Sequence, residues 1–334
     1  MRDYTPVAPA PLATQQASVA PSVHAASNFD ENQNLWGLDL GGTKIEGVIL
    51  RSATEPEVLF RNRVPTEAGQ GYHHMLQQVQ RLVERMEQAA GYRPDKIGIG
   101  TPGTMIPQSG LMKNCNTTAL NGQPLKSDLE QLLNQQVFIA NDANCFALSE
   151  ARLGVVKQQF PNARVVFGVI LGTGVGGGLV VNGQIIEGFH GIAGEWGHNY
   201  LSETDGNLCF CGKTGCIESI LAGPSLERFY AEKSGEQLGL KEIMQRATAG
   251  TDPVAVQTLS RLTHYFGLAI SAIVNVLDPE VIVVGGGVGN IPEIYTAGVA
   301  SISQHVIDHQ FAAPVVKPLL GDSAGVFGAA YLVA

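Results

Sequence analysis

The 334 residues amount to roughly two domains at about 150 residues each, enough to bury a core without disulfide staples. Hydrophobic residues make up 44% and charged residues 15%, which excludes global disorder. A net charge of -9 (21 basic against 30 acidic residues) repels nucleic acid and anionic lipid, and no apolar run reaches the roughly 18 residues of a membrane span.

Residues 1–34, rich in Pro, Ala, Ser and Gln without periodicity, are expected to form a mobile tail. From Leu35, LWGLDLGGTKIEGVILR reads as strand, glycine turn, strand. His73 to Ala90 has the apolar spacing of a helix, Lys96 to Gly100 is a short strand running into Thr101-Pro102-Gly103, and Val137 to Ala140 is a strand followed by a helix that begins near Asp142. Residues 165–186 repeat the opening hairpin: Thr173 between Gly172 and Gly174 stands where Thr43 stands beside Gly41 and Gly42, which suggests two related units. Helices over Leu226 to Ala249 and Pro253 to Val276, the strand VIVVGGGV and a small-residue C-terminal helix complete an α/β chain.

Each glycine turn is either a tight hairpin turn or a nest of backbone N–H groups that suits phosphate oxygens. A dinucleotide fingerprint is excluded, because LVVNGQII after Gly178 is a strand and not a helix, and Gly42-Thr43-Lys44 lacks the spacing of a Walker loop. Asp142 is either an ordinary N-cap or an ionised carboxylate that accepts an alcohol's proton during phosphoryl transfer. Asp39, just before the first turn, is either buried structural polarity or an outer ligand to Mg²⁺. Five cysteines, three of them between 209 and 216, argue for reduced thiols. Cys209, Cys211 and Cys216 with His198 offer the ligands of a closed, structural Zn²⁺ site, and Glu195 and Glu218 would be pinned beside it as acceptors for hydroxyl groups.

The runs LDLGGTKIEGVIL, NDANCFALSEA, GTGVGGGLVVNG, AGEWGH, CFCGKTGCIES and VIVVGGG, in this order, resemble the ROK family of ATP-dependent sugar kinases from Leu35 to the chain's end. The resemblance implies an actin-like (ribonuclease H-like) two-domain fold with ATP and sugar in the interdomain cleft. A small domain is expected over 35–140 plus about 318–334, with the C-terminal helix returning to it. A large domain is expected over 141–317, with a zinc loop at 198–216 and an adenosine loop. It further implies Asp142 as catalytic base, Asn116, Asn141, Glu195, His198 and Glu218 as sugar ligands, and His198, Cys209, Cys211 and Cys216 as zinc ligands. Asp39, Gly41, Gly42, Thr43, Lys44, Thr173 and Gly174 are assigned to the phosphates and their Mg²⁺, and Gly286 and Gly287 to adenosine. KNCNTTALNGQPL and AGEWGHNYL are similar to bacterial fructokinase/mannokinase members, so phosphorylation of the 6-hydroxyl of fructose or mannose is favoured, with glucose or N-acetylglucosamine as alternatives.

Some members of the family are sugar-responsive repressors, but residues 1–34, with one arginine and no lysine, give no place to a DNA-binding helix-turn-helix. A silent sugar sensor is disfavoured by the presence of Asp142 and both nests. The expected protein is a cytoplasmic kinase, homodimeric like many relatives, with hexose and ATP as its partners, Mg²⁺ and structural Zn²⁺ as its metals, and neither nucleic acid nor membrane as a target.

Overall fold

A computed structural model describes residues 29–202 and 205–334. Among the described residues, twelve strands form two five-stranded sheets and a small hairpin. The first sheet contains β1 (Leu35–Leu40), β2 (Lys44–Leu50), β3 (Val58–Pro65), β4 (Lys96–Thr101) and β7 (Gln136–Asn141). The second contains β8 (Val165–Leu171), β9 (Val175–Val181), β10 (Gln184–Ile185), β11 (Val281–Gly285) and β12 (Val315–Val316), while β5 (Thr104–Met105) pairs with β6 (Met112–Lys113). The orders β3-β2-β1-β4-β7 and β10-β9-β8-β11-β12 are the same topology twice. In each, three strands form an antiparallel meander and two more join in parallel. The repeat suggested by the two glycine hairpins is therefore a repeat of whole sheets.

Helices α1 (Tyr72–Ala90) and α2 (Leu125–Leu133) cover one face of the first sheet, burying Trp36, Leu38 and Leu40 against Met75, Val79, Leu82 and Leu129. Between the sheets lie α3 (Asp142–Arg152) and α10 (Ala324–Tyr331), back to back. Glycine makes this layer thin: a Cβ at Gly37 or Gly98 would overlap the α10 backbone at Ala330 or Ala329, and one at Gly178 would lie 2.5 Å from the Ala143 carbonyl of α3. The C-terminal helix α10 thus packs on β1, β2 and β4 of the first sheet as well as on α3. Buried Glu150 of α3 accepts from the N–H groups of Val155, Leu319 and Leu320 at 2.8, 3.1 and 2.9 Å, which ties the segment entering α10 to α3.

The remaining short helices α4 (Val155–Gln159) and α5 (Glu218–Leu221) are followed by α6 (Gly223–Ser234), α7 (Leu240–Ala249), α8 (Pro253–Leu277) and α9 (Ala297–His305). Residues from α6 to α9 bury Leu226, Tyr230, Ile243, Phe266 and Ile270 with Ile282 and Val284 of the second sheet. The single helical run expected from Leu226 to Ala249 is two helices, because Gly235 turns left-handed (φ 76°) and closes α6 through its N–H to the Ala231 carbonyl. Edge strand β3 carries Arg61 and Arg63 and little apolar alternation, which is why the sequence does not announce it.

Of the tail expected over 1–34, residues 1–28 lie outside the described residues, but 29–34 belong to the fold. Asn34 donates to the Arg51 carbonyl (2.8 Å) and accepts from Tyr92 Oη (2.8 Å), and Phe29 packs on the first sheet's core. A side-chain-capped turn carries no hydrophobic period, so composition hid it. Among the described residues no helix is long and apolar enough to cross a membrane.

Candidate functional site

Strand β7 delivers the chain into α3 at Asn141-Asp142. Asn141 is the N-cap, its Oδ1 accepting from the Asn144 N–H at 2.7 Å. Asp142 is therefore not the cap. Its Oδ1 accepts from the Ala143 N–H (2.8 Å), and its side chain faces a cavity of about 380 Å³. Protein surrounds the carboxyl although solvent reaches it through the cavity, and this burial raises its pKa against two opposing backbone hydrogen bonds. No arginine or lysine pairs with it among the described residues.

The same cavity takes in Asn116, Asn141, Thr173, Gly174, Glu195, His198 and Glu218. Glu195 and His198 are placed by the short turn Trp196–His198, which the Trp196 indole pins to β9 by donating to the Gly176 carbonyl at 2.8 Å. Burial raises the Glu195 pKa; His198 opposes this, while the charges of Asp142 and Glu218 add to it, so three carboxyl groups converge on one space. Glu218 opens α5 and accepts from the Val175 N–H (2.9 Å). A Cβ at Gly174 would lie 2.7 Å from its Oε2, so that glycine is needed for this contact whatever the turn binds.

Behind the cavity, His198, Cys209, Cys211 and Cys216 place their ligand atoms within 4.8 Å of one another. Cys209 Sγ lies 3.5 Å from His198 Nδ1, and Cys211 Sγ lies 3.5 Å from Cys216 Sγ. Sulfurs bound at about 2.3 Å around one tetrahedral zinc would be separated by under 4 Å, so this donor set fits the ion. Burial pushes the Cys209 thiol up to about 12, and a neighbouring dication is what would hold it as thiolate. All five cysteines are free thiols.

The structure does not gather every sequence-derived candidate. Gly41, Gly42, Thr43, Lys44 and Asp39 stand outside the lining of this cavity. Their turn is closed by the Gly41 N–H to the Lys44 carbonyl (3.0 Å) and braced by Thr66, whose Oγ1 donates to the Gly41 carbonyl at 2.6 Å. A Cβ on Gly42 would lie 3.0 Å from Thr117 Oγ1, which sets the turn beside the segment that carries Asn116. Asp39 is pushed up to about 6, first by burial and then by the charge of Asp142, so the two carboxyl groups are neighbours. Gly286 and Gly287 lie elsewhere: Gly286 (φ 85°) fits its backbone against Leu171, and Gly287 borders a separate cavity of about 840 Å³ with α7 and residues 290–293.

Of the cavity residues that are not among the sequence-derived candidates, two carry a polar or aromatic side chain, Asn114 and Phe210. Asn114 is held left-handed (φ 55°), a conformation asparagine tolerates, and Phe210 lies between Cys209 and Cys211. Each sits close in sequence to a candidate, Asn116 or the cysteines, and neither carries a chemical signature of its own.

The profile of the ROK family matches residues 35–334. The N-acetyl-D-glucosamine kinase of Yersinia pseudotuberculosis serotype O:3 (strain YPIII) is 36% identical over 307 residues, covering 89% of this chain and 98% of that protein. The N-acetyl-D-glucosamine kinase of Pasteurella multocida (strain Pm70) matches with the same identity and the same coverage. Among solved structures, the ROK hexokinase of Thermus thermophilus gives a TM-score of 0.80 at 32% identity over 90% of this chain and 97% of that one. A ROK glucokinase of Streptomyces griseus, crystallised with glucose and AMPPNP, gives 0.70 at 28% over 90% and 98%. The N-acetyl-D-glucosamine kinases, matched over 98% of their length, support the alternative within the kinase family and not the fructose or mannose preference expected from KNCNTTALNGQPL and AGEWGHNYL. The chain belongs to the ROK family and is a sugar kinase.

Proposed function

We propose that the protein transfers the γ-phosphoryl group of ATP to the 6-hydroxyl of N-acetyl-D-glucosamine. The observation that carries this reading is Asp142, in the first turn of α3 with no cationic partner among the described residues, facing a cavity shared with Glu195, Glu218, Asn116, Asn141 and His198. Asp142 accepts the hydroxyl proton late in a loose transition state, and its raised pKa makes it a better base than an exposed aspartate. Glu195 and Glu218 accept hydrogen bonds from ring hydroxyls, and Asn116, Asn141 and His198 complete the recognition of the sugar. The Thr173–Gly174 turn meets the terminal phosphate; Gly41, Gly42, Thr43 and Lys44 come against the triphosphate from the other side as the units on residues 35–140 with about 318–334 and on 141–317 close. Magnesium, when bound, neutralises the phosphates, with Asp39 as its outer ligand. The cavity beside Gly287 suits the adenosine, with Gly286 behind it. His198, Cys209, Cys211 and Cys216 would hold a zinc with four protein ligands, and the ion would then brace the loop that carries Glu195 and Glu218 without taking part in the chemistry.

Support for the sugar comes from the N-acetyl-D-glucosamine kinases at 36% identity, set against hexokinase and glucokinase structures at 32% and 28%. The test is ADP release with a panel of sugars. N-acetyl-D-glucosamine should give a higher kcat/KM than glucose, mannose or fructose, and the reverse order or no sugar-dependent release would overturn the proposal.

A further inference from the structure

Beside the catalytic cavity lies a second compartment of about 620 Å³, bounded by Met112, Asn114, Asn116, Asn121 and Phe210. Asn114, Asn116 and Phe210 belong to both, so the two spaces meet across these three residues. Phe210 is 75% exposed although it is fixed between Cys209 and Cys211, and its ring stands edge-on to His198 with centroids 4.9 Å apart. An exposed aromatic ring at the rim of a cavity is placed for contact with a ligand. The amide of Asn121 is occupied, accepting from the Cys115 N–H (2.9 Å) and donating to the Cys115 carbonyl (3.0 Å). The side-chain amides of Asn114 and Asn116 have no hydrogen-bond partner among the described residues. Lys113 is the one charged residue in the lining, and it already donates to the His190 carbonyl at 3.0 Å.

The compartment therefore offers free amide donors and acceptors beside an apolar ring, with no carboxylate. An N-acyl group presents the complement: one N–H, one carbonyl and a methyl. We infer that this compartment receives the N-acyl substituent of the sugar and that Phe210, with Asn114, sets the preference for an N-acylated hexosamine over the unsubstituted hexose. The inference rests on the substrate reading above.

The test measures kcat/KM for N-acetyl-D-glucosamine and for glucose in the full chain and in Phe210→Ala, Phe210→Tyr and Asn114→Ala, with zinc content determined for each. Phe210→Ala should lower the ratio of the two values about tenfold or more, mainly through KM for the acylated sugar, and Phe210→Tyr should keep most of it. Asn114, which lies off the metal loop, should shift the ratio in the same direction and carries the test if Phe210→Ala loses zinc. A wild-type preference for N-acetyl-D-glucosamine that survives both truncations, or an equal loss for both sugars, overturns this inference alone. A wild type that prefers glucose overturns the substrate reading with it.

Discussion

The turn between β1 and β2 and the turn between β8 and β9 hold the same place in two copies of one sheet, yet only the second opens into the cavity with Asp142. The difference lies in the chain leaving each hairpin. After β2 it goes straight to β3, whose Arg61 and Arg63 close on buried Glu46. After β10 it runs through 186–222, folds back on β9, and is gathered by four metal-type ligands that set Glu195, His198 and Glu218 over the turn. Duplicated topology supplies two scaffolds, and the segment that follows one of them brings Glu195, His198 and Glu218 to the cavity that Asp142 faces from the β7–α3 junction.

The sharpest way to break that comparison is at the junction of the two halves. Asp142→Asn keeps the shape of the helix entry and removes the base, so kcat/KM should fall about 10²–10⁴-fold while the fold is retained. Because burial raises the Asp142 pKa, the carboxyl takes up its proton, and the rate declines, at a higher pH than an exposed aspartate near 3.9 would give. An acid limb of kcat/KM at the ordinary carboxylate position, or undiminished turnover in Asp142→Asn, would remove Asp142 from the chemistry.

Chelation, or Cys216→Ser, separates the halves by stability. Loss of the metal should cost on the order of 3 kcal/mol. Hydrogen exchange should show the loss of protection concentrated in the loop around 192–222, with β1, β2 and β4 still protected. Equal deprotection of both sheets would mean that the loop is not a separate metal-held insertion.

The two sheets differ in legibility as well. Strands β1, β2, β8 and β9 are readable because an apolar run meets a glycine turn, and α3 because Asn141 and Asp142 precede it. The metal cluster is readable because thiolates crowded over a few residues have few other uses. What the sequence does not show is proximity. Glu150 looks like any helical glutamate until Leu319 and Leu320 arrive from 169 and 170 residues away. Gly174 resembles a phosphate-loop glycine, while its missing Cβ makes room for Glu218. Phe210 and Asn114 acquire meaning only once two loops meet.

The smallest effect tests the first sheet. Asp39 sits at the end of β1, and burial together with the charge of Asp142 pushes it up to about 6. A carboxyl whose folded pKa is raised binds its proton more tightly in the native chain than in the unfolded one. It therefore makes stability fall as pH rises between roughly 4 and 6, and at neutral pH the folded chain bears the full cost of the charge. Asp39→Asn should flatten that slope and raise stability at pH 7 by about 1–2 kcal/mol, while kcat/KM drops if Asp39 is the outer magnesium ligand proposed above. Thermal unfolding followed from pH 4 to pH 7 for both proteins reads the slope directly. If the two curves run parallel, the Asp39 carboxyl is not the desolvated charge described here.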